Sequence, residues 1–72
     1  MIEDYVIITF YTTAEAMATE KLCKMKGIEG RLFSAPREYS ADCGIAWKSP
    51  ASKKQMLLDE LNSSGIEYAG VY

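Results

Sequence analysis

Residues 5–11 read Tyr-Val-Ile-Ile-Thr-Phe-Tyr, every one of them β-branched or aromatic, and the next four residues open a helix. Such a run packs well on a pleated surface and reads as a strand. Thr12, Thr13, Ala14 and Glu15 then give the pattern of a capping box, a hydroxyl at the cap and a carboxylate three residues on. The chain therefore passes from a strand straight into a helix, and the helix must fold back over the strand to bury its apolar side. With Val6, Ile8 and Phe10 on one face, that face is predicted to point into the core.

The remaining elements follow from local signals. The first helix is expected to run to about Lys26 and stop at Gly27, a good left-handed terminator. Its buried face is ambiguous. One stripe takes Ala14, Met17, Ala18, Leu22 and Met25 but contains Lys21, and the other takes Ala16, Met17 and Cys23 but contains Glu20. Residues 30–34 read as a short second strand, and residues 35–42 as a polar, proline-interrupted connection. Residues 44–48 read as a third strand. Ser49 and Pro50 read as a cap and first-turn proline, opening a helix through Leu57, Leu58 and Leu61 that ends before Gly65. Residues 66–72 read as the last strand, and Met17, Met25 and Met56 as core fill. The order βαββαβ predicts two right-handed split βαβ units. The expected fold is an α+β, ferredoxin-like sandwich, one domain over residues 1–72, with an antiparallel sheet ordered 4-1-3-2 and both helices on one face.

Composition narrows the chemistry. A chain of 72 residues buries about three-fifths of its surface on folding, enough for one thin core. There is no histidine, which excludes Ser-His-Asp and Cys-His catalysis within one chain and any His-ligated metal. Two cysteines without a Cys-x-x-Cys cannot close a tetrahedral zinc site, so no metal is expected. The net charge of −2 with no basic cluster argues against nucleic acid. The acidic start (Met1, Ile2, Glu3, Asp4) is unlike a secretory signal, and no apolar run reaches membrane-spanning length. A cytoplasmic protein with free thiols is expected.

Topology brings separated residues together. The connection before the third strand emerges at the end of the sheet where the first strand hands over to its helix. Cys43 is therefore expected near Thr12 and Thr13, whose helix end offers unpaired amides and partial positive charge that favour a thiolate. Arg37 in the same connection adds a positive charge, and Gly44 lets a substrate approach the backbone closely. Asp42 acts the other way, because a neighbouring carboxylate disfavours an anion. A lone cysteine is more often an inert, buried hydrophobe. Cys23, in mid-helix beside Leu22, fits that description better than Cys43.

Phe10, Thr12, Thr13, Ala16, Met17, Glu20 and Lys21, then Gly27-Ile28, then Pro36-Arg37-Glu38, Ser40 and Cys43-Gly44-Ile45-Ala46 resemble the selenium/sulfur carrier protein-like family. The resemblance spans roughly residues 5–70, and the Pro-Arg-Glu to Cys-Gly segment is its most specific part. It implies a carrier rather than a turnover enzyme, holding sulfur or selenium on Cys43 as a persulfide or selenosulfide, with Arg37 as anion partner. Such a thiolate needs neither a base nor a metal, and no cofactor beyond the transient chalcogen. The sequence departs from the family pattern at Ala41 and Asp42, where small hydroxyl residues commonly stand. The implied partners are donor and acceptor proteins.

Tyr5, Tyr11, Phe33, Tyr68 and Tyr72 are expected on the sheet face without helices, a surface for a homodimer or for docking a partner. Two readings compete: a non-catalytic module, regulatory or structural, that assembles through this face and in which Cys43 is incidental, and a thiol redox sensor that uses Cys43 but carries no cargo.

Overall fold

The computed structural model describes residues 4–39 and 43–72, except the Arg37 side chain. The elements are β1 (Tyr5–Thr9), α1 (Thr13–Lys26), β2 (Arg31–Ser34), β3 (Ile45–Pro50), α2 (Lys54–Ser63) and β4 (Gly70–Val71). Short 3₁₀ turns at Arg37–Tyr39 and Ala51–Lys53 lie in the connections that follow β2 and β3. All three strand pairs are antiparallel, and the sheet order is β2-β3-β1-β4, the predicted 4-1-3-2. Among the described residues, no helix is long and apolar enough to cross a membrane.

The alternation in β1 holds. Val6, Ile8 and Phe10 enter one core with Trp47 of β3, Ala16 and Cys23 of α1, Ile28, and Leu57 and Leu61 of α2. Ile8 lies opposite Trp47, so the largest core side chain rests on the middle of the central strand pair. The capping box of α1 forms as expected, and Gly27 ends the helix at φ 70°.

Three expectations are corrected, and the open question of the buried face of α1 is answered. Ser49 is not a helix cap: it lies within β3 opposite Val6, fully buried, and its hydroxyl accepts a 2.6 Å hydrogen bond from Trp47 Nε1. Residues two apart in a strand share a face, so Ser49 is where the buried indole N–H can be satisfied. The chain then turns through Ala51–Lys53 before α2 begins, without a side-chain cap. Met17, Met25 and Met56 are not core fill but 60%, 72% and 47% exposed. On α1 the buried stripe is Ala16, Thr19 and Cys23. Thr19 belongs there because its hydroxyl donates to the Glu15 carbonyl at 3.0 Å, which removes the cost of burying it.

The third correction concerns the last strand and the aromatic residues. Only Gly70 and Val71 join the ladder as a strand, extended by reciprocal backbone bonds between Ile7 and Tyr72 of 3.0 and 2.8 Å. Before them, the Ile66 N–H turns back to the Leu61 carbonyl, and Ile66 and Tyr68 pack on the core. Tyr11 and Tyr68 consequently line a cleft with Asn62 of α2 rather than the open sheet face. Tyr5, Phe33 and Tyr72 do fall on the open side by register, and Tyr39 joins them, its ring 5.0 Å from that of Tyr72.

Gly30, just before β2, shows how tightly the sheet edge is packed. A Cβ there would lie 2.5 Å from the Lys48 carbonyl oxygen, 2.6 Å from Ser49 Oγ and 2.6 Å from Trp47 Cζ2. Gly30→Ala is expected to destabilise by ~1–3 kcal/mol through overpacking, and by more than Gly27→Ala, whose added carbon meets open space and costs only the backbone strain of its left-handed φ of 70°. Urea melts of the two variants check this; equal losses would mean that the approach at Gly30 is not a constraint.

Candidate functional site

Cys43 sits in the turn that delivers the chain into β3. The residue is partly buried, packs with Ile45 against the core, and its thiol donates a 3.3 Å hydrogen bond to the Ile45 carbonyl. Gly44 follows at φ 76°, a left-handed conformation that glycine adopts without strain, and is solvent-exposed. Its carbonyl accepts from the Ala35 N–H at 3.0 Å, closing the end of the β2–β3 pair. The thiol is thus held between a fixed backbone turn and the apolar layer.

The β1–β3 register sets what lies at the same end. Thr9 is opposite Ala46, so the residues entering β3, Cys43 and Gly44, reach the sheet edge at which β1 gives way to the start of α1. There Thr12 Oγ1 accepts from the Glu15 N–H at 3.3 Å, while Glu15 Oε1 accepts from the N–H groups of Tyr11 and Thr12, both at 3.1 Å. The first helical amides that remain are those of Thr13 and Ala14, which have no partner within a helix. The capping carboxylate offsets part of the helix end's positive charge. The sequence pattern predicted that capping box but not its electrostatic consequence. The Arg37 backbone lies in the turn Arg37–Tyr39. The Arg37 side chain and Asp42 lie outside the described residues.

Cys23 differs on every count. It is fully buried in the core, and burial, with Glu60 nearby as a second cause, pushes its pKa up from 9.0 to about 11. Lys26 stands 3.8 Å from Glu60 across the two helices. Among the described residues, no group of three or more potential metal ligands is found. Tyr39, whose ring meets Tyr72 four residues before Cys43, was not foreseen; nothing in a loop of mixed polarity signals a cross-sheet aromatic contact.

These features define a class: a small α+β protein with one cysteine sealed in its core and one only partly buried, on a turn at the end of the sheet. The chain belongs to the family described as "Putative Se/S carrier protein-like", whose model matches residues 5–72. No curated protein and no solved structure matches it.

The raised pKa of Cys23 has a consequence for stability. Between pH 9 and about 11 the unfolded chain loses this proton while the folded chain keeps it, so stability falls as pH rises through that window. The shift corresponds to a loss on the order of 2 kcal/mol, absent from Cys23→Ala. Urea denaturation under reducing conditions at pH 8 and pH 10.5 measures it. The same loss in both proteins would assign it to other groups.

Proposed function

We propose that the protein is a sulfur or selenium carrier that holds its cargo on Cys43 and passes it to an acceptor. The observation that carries this reading is the division between the two cysteines in a chain of this family, Cys23 buried and Cys43 partly exposed. The fold is read as a ferredoxin-like sandwich, in which two βαβ halves bring the β3 entry turn and the start of α1 to one edge.

The chemistry conserves atoms and electrons. The Cys43 thiol gives its proton to water, giving up its hydrogen bond to the Ile45 carbonyl. The thiolate attacks the outer sulfur of a donor protein's persulfide. A Cys43 S–S bond forms, the donor's S–S bond breaks, and the donor leaves as a thiolate. An acceptor thiolate then attacks the same outer sulfur, and Cys43 leaves as the thiolate it was. A donor selenopersulfide reacts in the same way. No step needs a base, a metal or a resident cofactor, so the lack of histidine is no obstacle. Arg37, Thr13 and the exposed backbone at Gly44 are the groups proposed to receive the terminal anion, with Thr12 holding the helix start. Donor and acceptor proteins are the proposed partners, and the cytoplasm the proposed compartment, since thiols stay reduced there.

The half-burial of Cys43 and its bond to Ile45 favour a second reading, a non-catalytic module that assembles through its open sheet face. In that case the thiol only fills a turn. Tyr5 and Tyr72, each about half exposed on that face, are its candidate contacts. Light scattering at high concentration checks the assembly: the mass of two chains supports it, and the mass of one chain refutes a stable homodimer.

Incubation with a cysteine desulfurase and free cysteine, followed by mass spectrometry of the intact protein, tests the carrier. One added sulfur atom is expected on the native chain and on Cys23→Ala, and none on Cys43→Ala. An adduct that persists in Cys43→Ala would end the carrier assignment.

A further inference from the structure

Arg31 and Lys48 are the charged residues on the four strands, and they share one sign and one face. They lie directly opposite each other across the β2–β3 pair, and Lys48 is opposite Ile7, on the side of the sheet turned away from the core. Like charges directly opposite in a sheet repel. The chain as a whole carries −2, so this positive spot runs against its composition. Among the described residues, neither side chain has a carboxylate within 4.0 Å; the ion pair found is Lys26 with Glu60.

The pair borders a formed cleft of about 200 Å³, walled by Tyr5, Glu29, Gly30, Arg31, Lys48 and Pro50. The Lys48 ammonium lies 4.6 Å from the Tyr5 ring centroid and 5.5 Å from that of Phe33. Two aromatic faces hold a cation by their quadrupoles, so the ammonium is positioned rather than sweeping through solvent. The floor is rigid, because Gly30 presses its backbone against Lys48, Ser49 and Trp47 too closely for any side chain. A volume below the ~300–1,000 Å³ of drug-sized pockets suits a small ligand or a single charged head. Glu29, at the same rim, opposes an anion at its own end and so limits the ligand's negative charge to the Arg31–Lys48 side.

We propose that this cleft binds a small ligand through an oxyanion, a phosphate or a carboxylate, received by Arg31 and Lys48. The site is separate from Cys43. It lies on the opposite face of the sheet, and the strand from Ile45 to Lys48 alone carries the chain roughly 10 Å away from the Cys43 turn. It does not depend on the carrier reading.

Titration of the ¹⁵N-labelled protein with sodium phosphate and, separately, sodium acetate, against sodium chloride at matched ionic strength, tests the site. Saturable amide shifts at Gly30, Arg31 and Lys48 are expected with an oxyanion and not with chloride. Saturation by phosphate alone assigns a phosphate-bearing ligand, by acetate alone a carboxylate, and by both a general oxyanion site. Arg31→Gln and Lys48→Gln are each expected to weaken binding about tenfold, as the loss of one charge-assisted hydrogen bond implies. Glu29→Gln is expected to tighten it. The spectrum of each variant reports whether the chain is folded. Shifts no larger than those with chloride, or unchanged affinity in both cation variants of native-like spectrum, overturn the proposal.

Discussion

The antiparallel pairing of β1 with β3 is the constraint on which the rest of the molecule depends. It joins the two halves of the chain, and its register, Ile8 against Trp47, sets which side chains face the helices. With that register Val6, Ile8, Trp47 and Ser49 look toward α1 and α2, while Tyr5, Ile7 and Lys48 look away. A slip of one residue would exchange these sets and expose the core. The same ladder brings the Cys43 turn and the start of α1 to one edge of the sheet. The buried bond from Trp47 to Ser49 is part of this constraint, because the indole N–H would otherwise be an unpaired donor in the core.

The two thiols show how placement decides chemistry. Both are cysteines in chain segments of mixed polarity, but one is enclosed by apolar side chains and resists ionisation, while the other stands, only partly buried, at a backbone turn. The α1 start at the same sheet edge is less electropositive than a bare helix end, because Glu15 caps it. The proposed transfer therefore leans on the loop and on a donor protein as much as on the helix. The sheet's two faces are as different as its two cysteines. One is dry and helix-covered. The other carries aromatic rings and two cations, with the Tyr39–Tyr72 pair folded onto part of it.

Much of this was legible in residue order. The β-branched run at residues 5–11, the capping box at Thr12 and Glu15, the glycine stop at Gly27 and the leucines of α2 are local signals, each a matter of a few neighbouring residues. The strand order follows from the handedness of the connections they imply. The buried face of α1 was not legible, since Thr19 looks polar until a carbonyl one turn earlier takes its hydroxyl. The methionines misled for the converse reason: apolar character does not require burial when the sheet beneath is too small to cover every side. Ser49 before Pro50 looked like a cap, because no local rule announces a tryptophan two residues earlier that needs an acceptor.

By itself, then, the amino-acid order determined the succession of elements, the inward face of β1 and the presence of a cysteine on a glycine-bearing turn, because propensity, capping and alternation act over short separations. Only the tertiary structure decided which stripe of α1 is enclosed, how fully Cys23 is sealed and how far its pKa is raised, and that Arg31 and Lys48 stand side by side. Those outcomes depend on register and on packing between segments far apart in the chain, where the energy of a side chain is set by neighbours that its own stretch of sequence does not contain.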